Sequence, residues 1–278
     1  MQKNNDKRAK TLLKRLVWFF STQVGIDCLK MVWFCRRLLI FLQDYLVFRT
    51  KYSGKFELLP CLHDRFEQSG NIANEYFWAD LYIAQKIFAA APSRHVDVGS
   101  RIDGFVAHVA SFREIEVFDI RALENTIPNV SFKVRNFMQK DSSLDKTCDS
   151  LSCLHALEHF GLGRYGDKIE PYGYEDGFRN MAAMLQNGGV FYLATPIGEE
   201  RIEFNGQHVF SPDTILKLAE SCDLALIDFV TAADVCGSGS QPVSMVTFSK
   251  LKELRYSLGI FTFRKISDNK NQQQARTI

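Results

Sequence analysis

The stretch His95-Val96-Asp97-Val98-Gly99-Ser100-Arg101-Ile102-Asp103-Gly104-Phe105 decides how this chain is read. Four residues of buried-strand character run straight into glycine, and a helical stretch follows around Phe105 to Ala110. Before them, Tyr76, Phe77, Leu81, Ile83, Ile87 and Phe88 recur at helical spacing between Glu75 and Ala90, and Ala91-Pro92-Ser93 ends the run. After them, 116–119 and 130–134 read as the second and third strands and 148–152 as the fourth. A helix then covers 174–185, and a Gly188-Gly189 turn leads into a fifth strand over 190–194. Ser211-Pro212-Asp213 places an N-cap serine before a proline at the first helical position, opening a helix that continues from Ile215 to Ser221. Two closing strands, 224–230 and 243–248, are joined by a Gly- and Ser-rich loop without a helix and are predicted to pair antiparallel. Strands alternating with helices imply right-handed crossovers and an α/β fold with a mostly parallel, seven-stranded sheet.

The chain has 278 residues, 46% hydrophobic and 24% charged, enough for one sizeable α/β domain and a helical extension. Seven cysteines lie scattered through apolar runs without C-x-x-C pairing, which fits a reducing cytosol better than a secreted, disulfide-bonded protein. The net charge of +2 hides an asymmetry. Residues 1–55 hold 12 Lys/Arg against 3 Asp/Glu, net +9, leaving 22 against 29, net −7, for the rest. A positive leader on an acidic body points to an anionic partner surface for the leader.

Within that leader, Leu12, Leu13, Leu16, Val17, Phe20 and Val24 recur at helical spacing, and a second apolar set runs from Met31 to Leu46. The longest uncharged stretch, 16–26, is too short for the ~20 apolar residues of a spanning helix. Charges follow the first apolar stretch closely and no small-residue cleavage site stands out, which argues against a signal peptide. Two readings of residues 8–48 stand level. One is an interfacial anchor, with Lys14, Arg15, Arg36 and Arg37 at headgroups and Trp18, Phe19, Trp33 and Phe34 in the acyl boundary. The other is a helical pair packed on protein. The divisions predicted are a basic amphipathic segment over 1–60, the α/β domain over 75–252, and a partly disordered extension over 253–278, polar from Ser267.

In open α/β sheets ligands bind beyond the carboxyl ends of the strands. After the first strand stand Asp97, Gly99, Ser100 and Gly104, an acidic-x-Gly loop whose glycines let backbone approach a ligand. Its departures are Arg101 and Asp103, and an Arg101–Asp119 ion pair would close the site. Asp119 ends the second strand about twenty residues on, where a carboxylate accepts ribose hydroxyls, and Ile120 follows it. Asn136-Phe137 comes after the third strand. The fourth leads into Leu154-His155-Ala156-Leu157-Glu158-His159-Phe160-Gly161-Leu162-Gly163-Arg164-Tyr165-Gly166-Asp167. This contains H-x-x-E-H, a zinc-peptidase pattern, but Gly161 and Gly163 break the helix such a site needs, and no metal is expected.

With these residues in place, the chain resembles the Rossmann-like class I methyltransferases, where a segment like 155–159 follows the fourth strand. It is closer still to the family of domain of unknown function 268, through Asp97 to Phe105, Leu154 to Asp167, Thr195-Pro196-Ile197-Gly198 and Phe204 to Pro212. The resemblance covers roughly residues 75–250. It implies the class I sheet with its terminal antiparallel hairpin, and S-adenosylmethionine held by Asp97, Gly99, Ser100, Gly104, Asp119, Ile120, Asn136 and Phe137. In such a site Asn136 and Phe137 meet the adenine. Bacterial members lie among surface-polysaccharide genes, which implies a saccharide or nucleotide-sugar acceptor and O-methylation. A sulfonium methyl is a strong electrophile, so the protein must place the acceptor and remove its proton. His159 is the first candidate base, since histidine titrates near neutral pH. His155, Glu158 and His208 are further candidates, with Tyr165, Arg164 and Asp167 positioning the acceptor. A competing reading makes the chain a catalytically inactive module that assists a membrane-associated polysaccharide assembly complex. An RNA methyltransferase ranks last, because the body is acidic and no aromatic-basic stacking surface is visible, so no nucleic acid is expected. The location expected is the cytoplasm, at the inner face of the plasma membrane if the leader binds lipid.

Overall fold

The structure, a computed structural model, describes residues 17–25, 28–62, 65, 66, 72, 74–235 and 245–266. It divides into two compact units, Met1–Asn71 and Ile72–Ile278. In the first unit a π-helical turn, Phe20–Val24, precedes α1, Cys28–Lys51, so the leader is two helical pieces over its described part. Phe48 meets the edge of Phe56, and the Arg49 guanidinium lies 5.3 Å over the Phe56 ring. Asp44 pairs with Arg65. Trp18, Phe19, Trp33 and Phe34 are all exposed, and Leu39 and Leu46 are each 64% exposed. No helix among the described residues is long and apolar enough to cross a membrane. Leu12, Leu13, Lys14, Arg15 and Leu16 lie outside the described residues, as does the tail from Ser267.

The second unit opens with α2, Glu75–Ala90, on the boundaries the apolar spacing predicts. Asn74 caps it by accepting from the Tyr76 N–H, and Ala91 ends it in the left-handed region. Strands β1 (His95–Val98), β2 (Ile115–Asp119), β3 (Val130–Val134), β4 (Cys148–Leu154) and β5 (Leu185–Ile197) are mutually parallel where they pair. Between β1 and β2 a π-helical turn, Ile102–Val106, runs into the short helix α3, Ala107–Ala110. Helix α4, Gly173–Met184, precedes β5. The Gly188-Gly189 turn proves to be a register shift inside β5, with Cys148 opposite Leu185 but Ser150 opposite Val190. A separate hairpin follows, β6 (Arg201–Glu203) with β7 (Gln207–Val209). Helix α5, Pro212–Ser221, starts at the predicted Ser211 cap, whose hydroxyl accepts from the Asp213 N–H at 3.3 Å.

The closing hairpin is antiparallel, but its second strand is not where the sequence reading puts it. After β8 (Leu224–Thr231) come helices α6 (Ala232–Val235) and α7 (Met245–Leu251), and then β9, Ser257–Lys265. The run 243–248 thus falls largely in a helix, and the supposed C-terminal extension supplies an interior strand. β9 inserts antiparallel between β5 and β8, giving the order β3-β2-β1-β4-β5-β9-β8. This is the Rossmann-like class I methyltransferase sheet: parallel except at the inserted strand, with helices on both faces. Ile83 and Ile87 of α2 pack on one face with Val109. Phe178 and Met181 of α4 pack on the other with Ile215, Phe248 and Phe261. Burying these rings and branched chains supplies the main driving force for the fold.

Candidate functional site

The carboxyl ends of β1 to β4 surround a cavity of about 300 Å³, at the small end of ligand clefts. Gly99 forms its floor. Its φ of +75° suits glycine, and a Cβ there would stand 2.7 Å from that of Ala156. Its N–H donates to the Phe118 carbonyl at 2.8 Å, so the turn is pinned to β2. Asp119, Ile120, Asn136, Phe137, His155, His159 and Tyr165 line the same cavity. Five cofactor candidates from three strand ends are thereby brought together with His155, His159 and Tyr165 of the segment after β4.

Asp97, Ser100 and Gly104 are not on the cavity wall. Asp97 is fully buried, its Oδ1 accepting from the hydroxyls of Ser100 and Ser152, both at 2.6 Å, and its Oδ2 from the Ser100 N–H. The Ser100 hydroxyl oxygen also accepts the Leu154 N–H, so the pair staples β1 to β4. His95 extends the chain: because Ser152 gives its one proton to Asp97, the neutral ring must donate from Nε2 to the Ser152 oxygen and accept from the Ser150 hydroxyl at Nδ1. Burial, then the hydroxyl partners acting against it, leaves the Asp97 carboxyl raised to about 6. Gly104 faces α2 instead, since a Cβ on it would sit 2.6 Å from Asp80 Oδ2.

Asp119 does not pair with Arg101, which borders the cavity but is taken by Asp103 through contacts of 3.0 and 2.6 Å. It pairs with Arg121. Oδ1 accepts from the Arg121 backbone N–H at 2.8 Å and Nε at 3.0 Å, and Oδ2 accepts from Nη2 at 2.6 Å. The guanidinium also lies 4.3 Å over the Tyr165 ring. Asn136 turns its side-chain oxygen to the Met138 N–H, which leaves its amide N–H groups as donors. Phe137 is 4% exposed and packs edge-on against Phe118, so it serves the core and shows the cavity only part of its surface.

The glycine-rich loop has a shape set by its own backbone. Gly161, Gly163 and Gly166 all have φ between +70° and +84°. The Asp167 carboxylate closes it by accepting the N–H groups of Gly161 (2.8 Å) and Tyr165 (3.3 Å), and the Gly161 carbonyl accepts from Glu170. Asp167 is thus a loop staple, though it also borders the cavity. Residues 155–159 are not on an α-helix: His155 has φ +56° and a single 3-10 turn covers Leu157–His159.

His159 Nδ1 donates to the Gly206 carbonyl at 2.8 Å, an acceptor it shares with Arg164 Nη1 at 2.9 Å. Burial, then Arg164, pushes its pKa down to about 4, so the expected titration near neutral pH is not met. His155 packs its ring 3.8 Å from Tyr76, leaves Nε2 buried without a partner among the described residues, and is lowered by burial to about 3. Both rings are neutral, weak bases. Glu158 is 1% exposed, lies off the cavity wall, accepts from the Thr195 hydroxyl at 3.4 Å, and has its Oε1 3.9 Å from His159 Nε2. His208 is buried between Tyr174 and Phe210, also off the wall. Three residues that the sequence reading did not single out, Tyr76, Arg121 and Arg135, line the cavity.

Burial pushes the Glu158 carboxyl up to about 8, so the fold prefers it protonated. That contribution is complete below the ordinary value of 4.5 and is lost as pH rises through about 8. Glu158→Gln keeps the shape without the ionisation. Urea unfolding should show wild-type stability falling relative to the variant by ~2 kcal/mol from about pH 5.5 to 7. A pH-independent difference would mean that Glu158 is charged in the fold.

Residues 109–223 match the model of a family described as Caenorhabditis protein of unknown function, DUF268. The match is narrower than 75–250: it begins after the Asp97–Phe105 loop and takes in the glycine-rich loop. No curated protein matches the chain. Among solved structures, it is similar to the N-methyltransferase NodS from Bradyrhizobium japonicum WM9 in complex with S-adenosyl-L-homocysteine. The identity is 13%, over 74% of this chain and 93% of that one, with a TM-score of 0.46. It is also similar to the 1,6-didemethyltoxoflavin-N1-methyltransferase of Burkholderia thailandensis, which was solved with 1,6-didemethyltoxoflavin and S-adenosylhomocysteine. There the identity is 14%, over 68% and 79%, with a TM-score of 0.44. The strand order, and not these remote likenesses, assigns the fold.

Proposed function

We propose that this protein is an S-adenosylmethionine-dependent methyltransferase that O-methylates a saccharide during surface polysaccharide biosynthesis. The observation that carries the cofactor assignment is the convergence of Gly99, Asp119, Asn136 and His155 on one cavity at the carboxyl ends of four strands. The residues fit the group chemically. Asp119 accepts from ribose hydroxyls, the Asn136 amide donates to the adenine edge, and Ile120 and Phe137 offer apolar faces. Gly99 keeps the floor free of a side chain. When bound, the cofactor supplies an electrophilic methyl group.

On the acceptor side, Tyr165 offers a ring and Arg164 a guanidinium, and His159 offers the lone pair of Nε2, its Nδ1 proton being committed to Gly206. With a pKa near 4, His159 would orient the acceptor hydroxyl and take its proton late, once the acceptor oxygen has become strongly acidic. The saccharide rests on the family resemblance and on this mixture of aromatic and hydrogen-bonding groups. The test is calorimetric titration of the folded chain with S-adenosylhomocysteine, followed by transfer of labelled methyl to a panel of saccharides and nucleotide sugars. Micromolar binding supports the reading.

One observation favours the inactive assembly module, namely that Arg121 covers both Asp119 oxygens. Absence of S-adenosylhomocysteine binding by folded protein would select it.

The leader has the composition of a peripheral membrane contact through residues 8–48, at the cytoplasmic face: basic, with exposed Trp18, Trp33, Phe34 and Leu39. Full-length protein should float with phosphatidylserine-containing vesicles at low salt and not with phosphatidylcholine alone. Trp33→Ala with Phe34→Ala should reduce flotation about tenfold. Flotation unaffected by lipid charge would remove the membrane reading.

A further inference from the structure

Arg121 and the ribose compete for the same oxygens, a conflict that rests on the cofactor reading above. A carboxylate offers about four lone-pair positions. On Asp119 the Arg121 backbone N–H takes one and the guanidinium takes two, one on each oxygen. One position remains, whereas a ribose diol brings two donors. The backbone N–H is fixed by its turn, so the side chain is what must yield.

Its surroundings decide where a displaced guanidinium goes. The Arg121 side chain is 50% exposed and already lies over Tyr165, and Arg164 lies 5.2 Å from the same ring. Among the described residues Arg164 makes no ion pair; its Nη1 donates to the Gly206 carbonyl at 2.9 Å and lies 3.3 Å from His159 Nδ1. The other carboxylates nearby are engaged. Asp167 is tied to the Gly161 and Tyr165 N–H groups, Asp103 to Arg101, and Asp141 to Arg135. Once Arg121 leaves Asp119, two guanidiniums flank one aromatic ring in a half-enclosed cavity, neither of them ion-paired, while the Asp167 carboxylate on the same wall stays turned to the Gly161 and Tyr165 N–H groups. A planar donor pair of this kind is complementary to a phosphate or a carboxylate.

We propose that Arg121 is an exchanged counterion: it leaves Asp119 when the cofactor's ribose binds and then, with Arg164, holds an anionic group on the methyl acceptor. The acceptor class is therefore a saccharide bearing a phosphate or a carboxylate, and cofactor and acceptor bind with positive coupling. Arg121 is a positioning and specificity residue in this scheme.

Calorimetry on the full chain tests it, with S-adenosylhomocysteine titrated at constant ionic strength in chloride, in inorganic phosphate, and in glucuronate. Wild type should bind about fivefold more tightly in one of the two anions than in chloride. Phosphate alone assigns the phosphate class, and glucuronate alone the carboxylate class. Arg121→Ala should bind about fivefold more tightly than wild type in chloride and ignore both anions. Arg164→Ala should keep the chloride affinity and lose the enhancement. Equal affinity for wild type and Arg121→Ala, unmoved by either anion, overturns the exchange while leaving the cofactor site standing. Binding to neither protein, with folding confirmed by circular dichroism, overturns both.

Discussion

Asp119→Ala is expected to weaken S-adenosylhomocysteine binding about a hundredfold, while costing the fold little. A hydrogen bond to a charged group contributes ~1.5–3 kcal/mol, and the ribose diol loses two at once, offset in part because Arg121 no longer has to be displaced. The fold is spared because the Arg121–Asp119 pair is half exposed on the arginine side, where ion pairs contribute ~0–1 kcal/mol. Asp119→Asn should fall between, since the amide keeps one acceptor oxygen and loses the charge. Calorimetry reads the affinities and urea unfolding the stabilities. Undiminished binding by Asp119→Ala would place the nucleoside somewhere other than the end of β2.

Gly161→Ala is expected to destabilise the chain by ~3–5 kcal/mol or to melt the loop that carries Arg164 and Tyr165. Two costs add. The residue sits at φ +77°, and an added methyl would lie well inside van der Waals contact of the Glu170 carbonyl. Relief requires opening the segment between residues 161 and 170, which breaks the Gly161–Asp167 and Glu170–Gly161 hydrogen bonds together. Gly166→Ala isolates the first cost, because φ is +84° but nothing lies within 4 Å of a Cβ, and it should lose only ~1–2 kcal/mol. Equal losses for the two variants in urea unfolding would mean that the loop is already loose around Gly161. If the loop melts with the sheet intact, the effect of phosphate or glucuronate should vanish while binding in chloride survives.

The strand ends were legible because the chain alternates clearly: each buried run stops at a residue whose chemistry differs from the run. Gly99 and Asp119 follow from that alone, whereas Asn136, two residues past the end of β3, needed the family resemblance. Depth was not legible. Asp97 stands next to last in a strand buried on both faces, so its carboxylate meets Ser100 and Ser152 and not a ligand. Glu158 and His159 are adjacent in sequence and their side-chain ends lie 3.9 Å apart, yet only His159 borders the cavity, because Glu158 lies deeper, at 1% exposed. Tyr76 comes from a helix that precedes the whole sheet, and no local pattern ties it to His155. Arg121 did leave a signal, since a donor two residues after a strand-ending aspartate can fold back on it. The last strand was misplaced because the apolar run 243–248 mimics one. Ser257–Lys265 contains a glycine, Gly259, that lowers its strand character, and only the sheet's vacancy beside β5 calls it in.

Synthesis and assembly of the sheet follow different orders. When Ile197 leaves the ribosome, β5 is complete at 13 residues, but its lasting neighbour on that side, β9, starts only at Ser257. β8 emerges in between, although in the finished sheet it touches β9 and not β5. At about 5–20 residues per second, the 59 intervening positions take several seconds to translate. Throughout that interval the nascent chain presents a long apolar strand with unpaired backbone groups, open to any other strand that reaches it. Folding yield in the cell is thus decided by how well that brief opening is guarded, by chaperones or by translation speed, whereas the mature sheet keeps no trace of it.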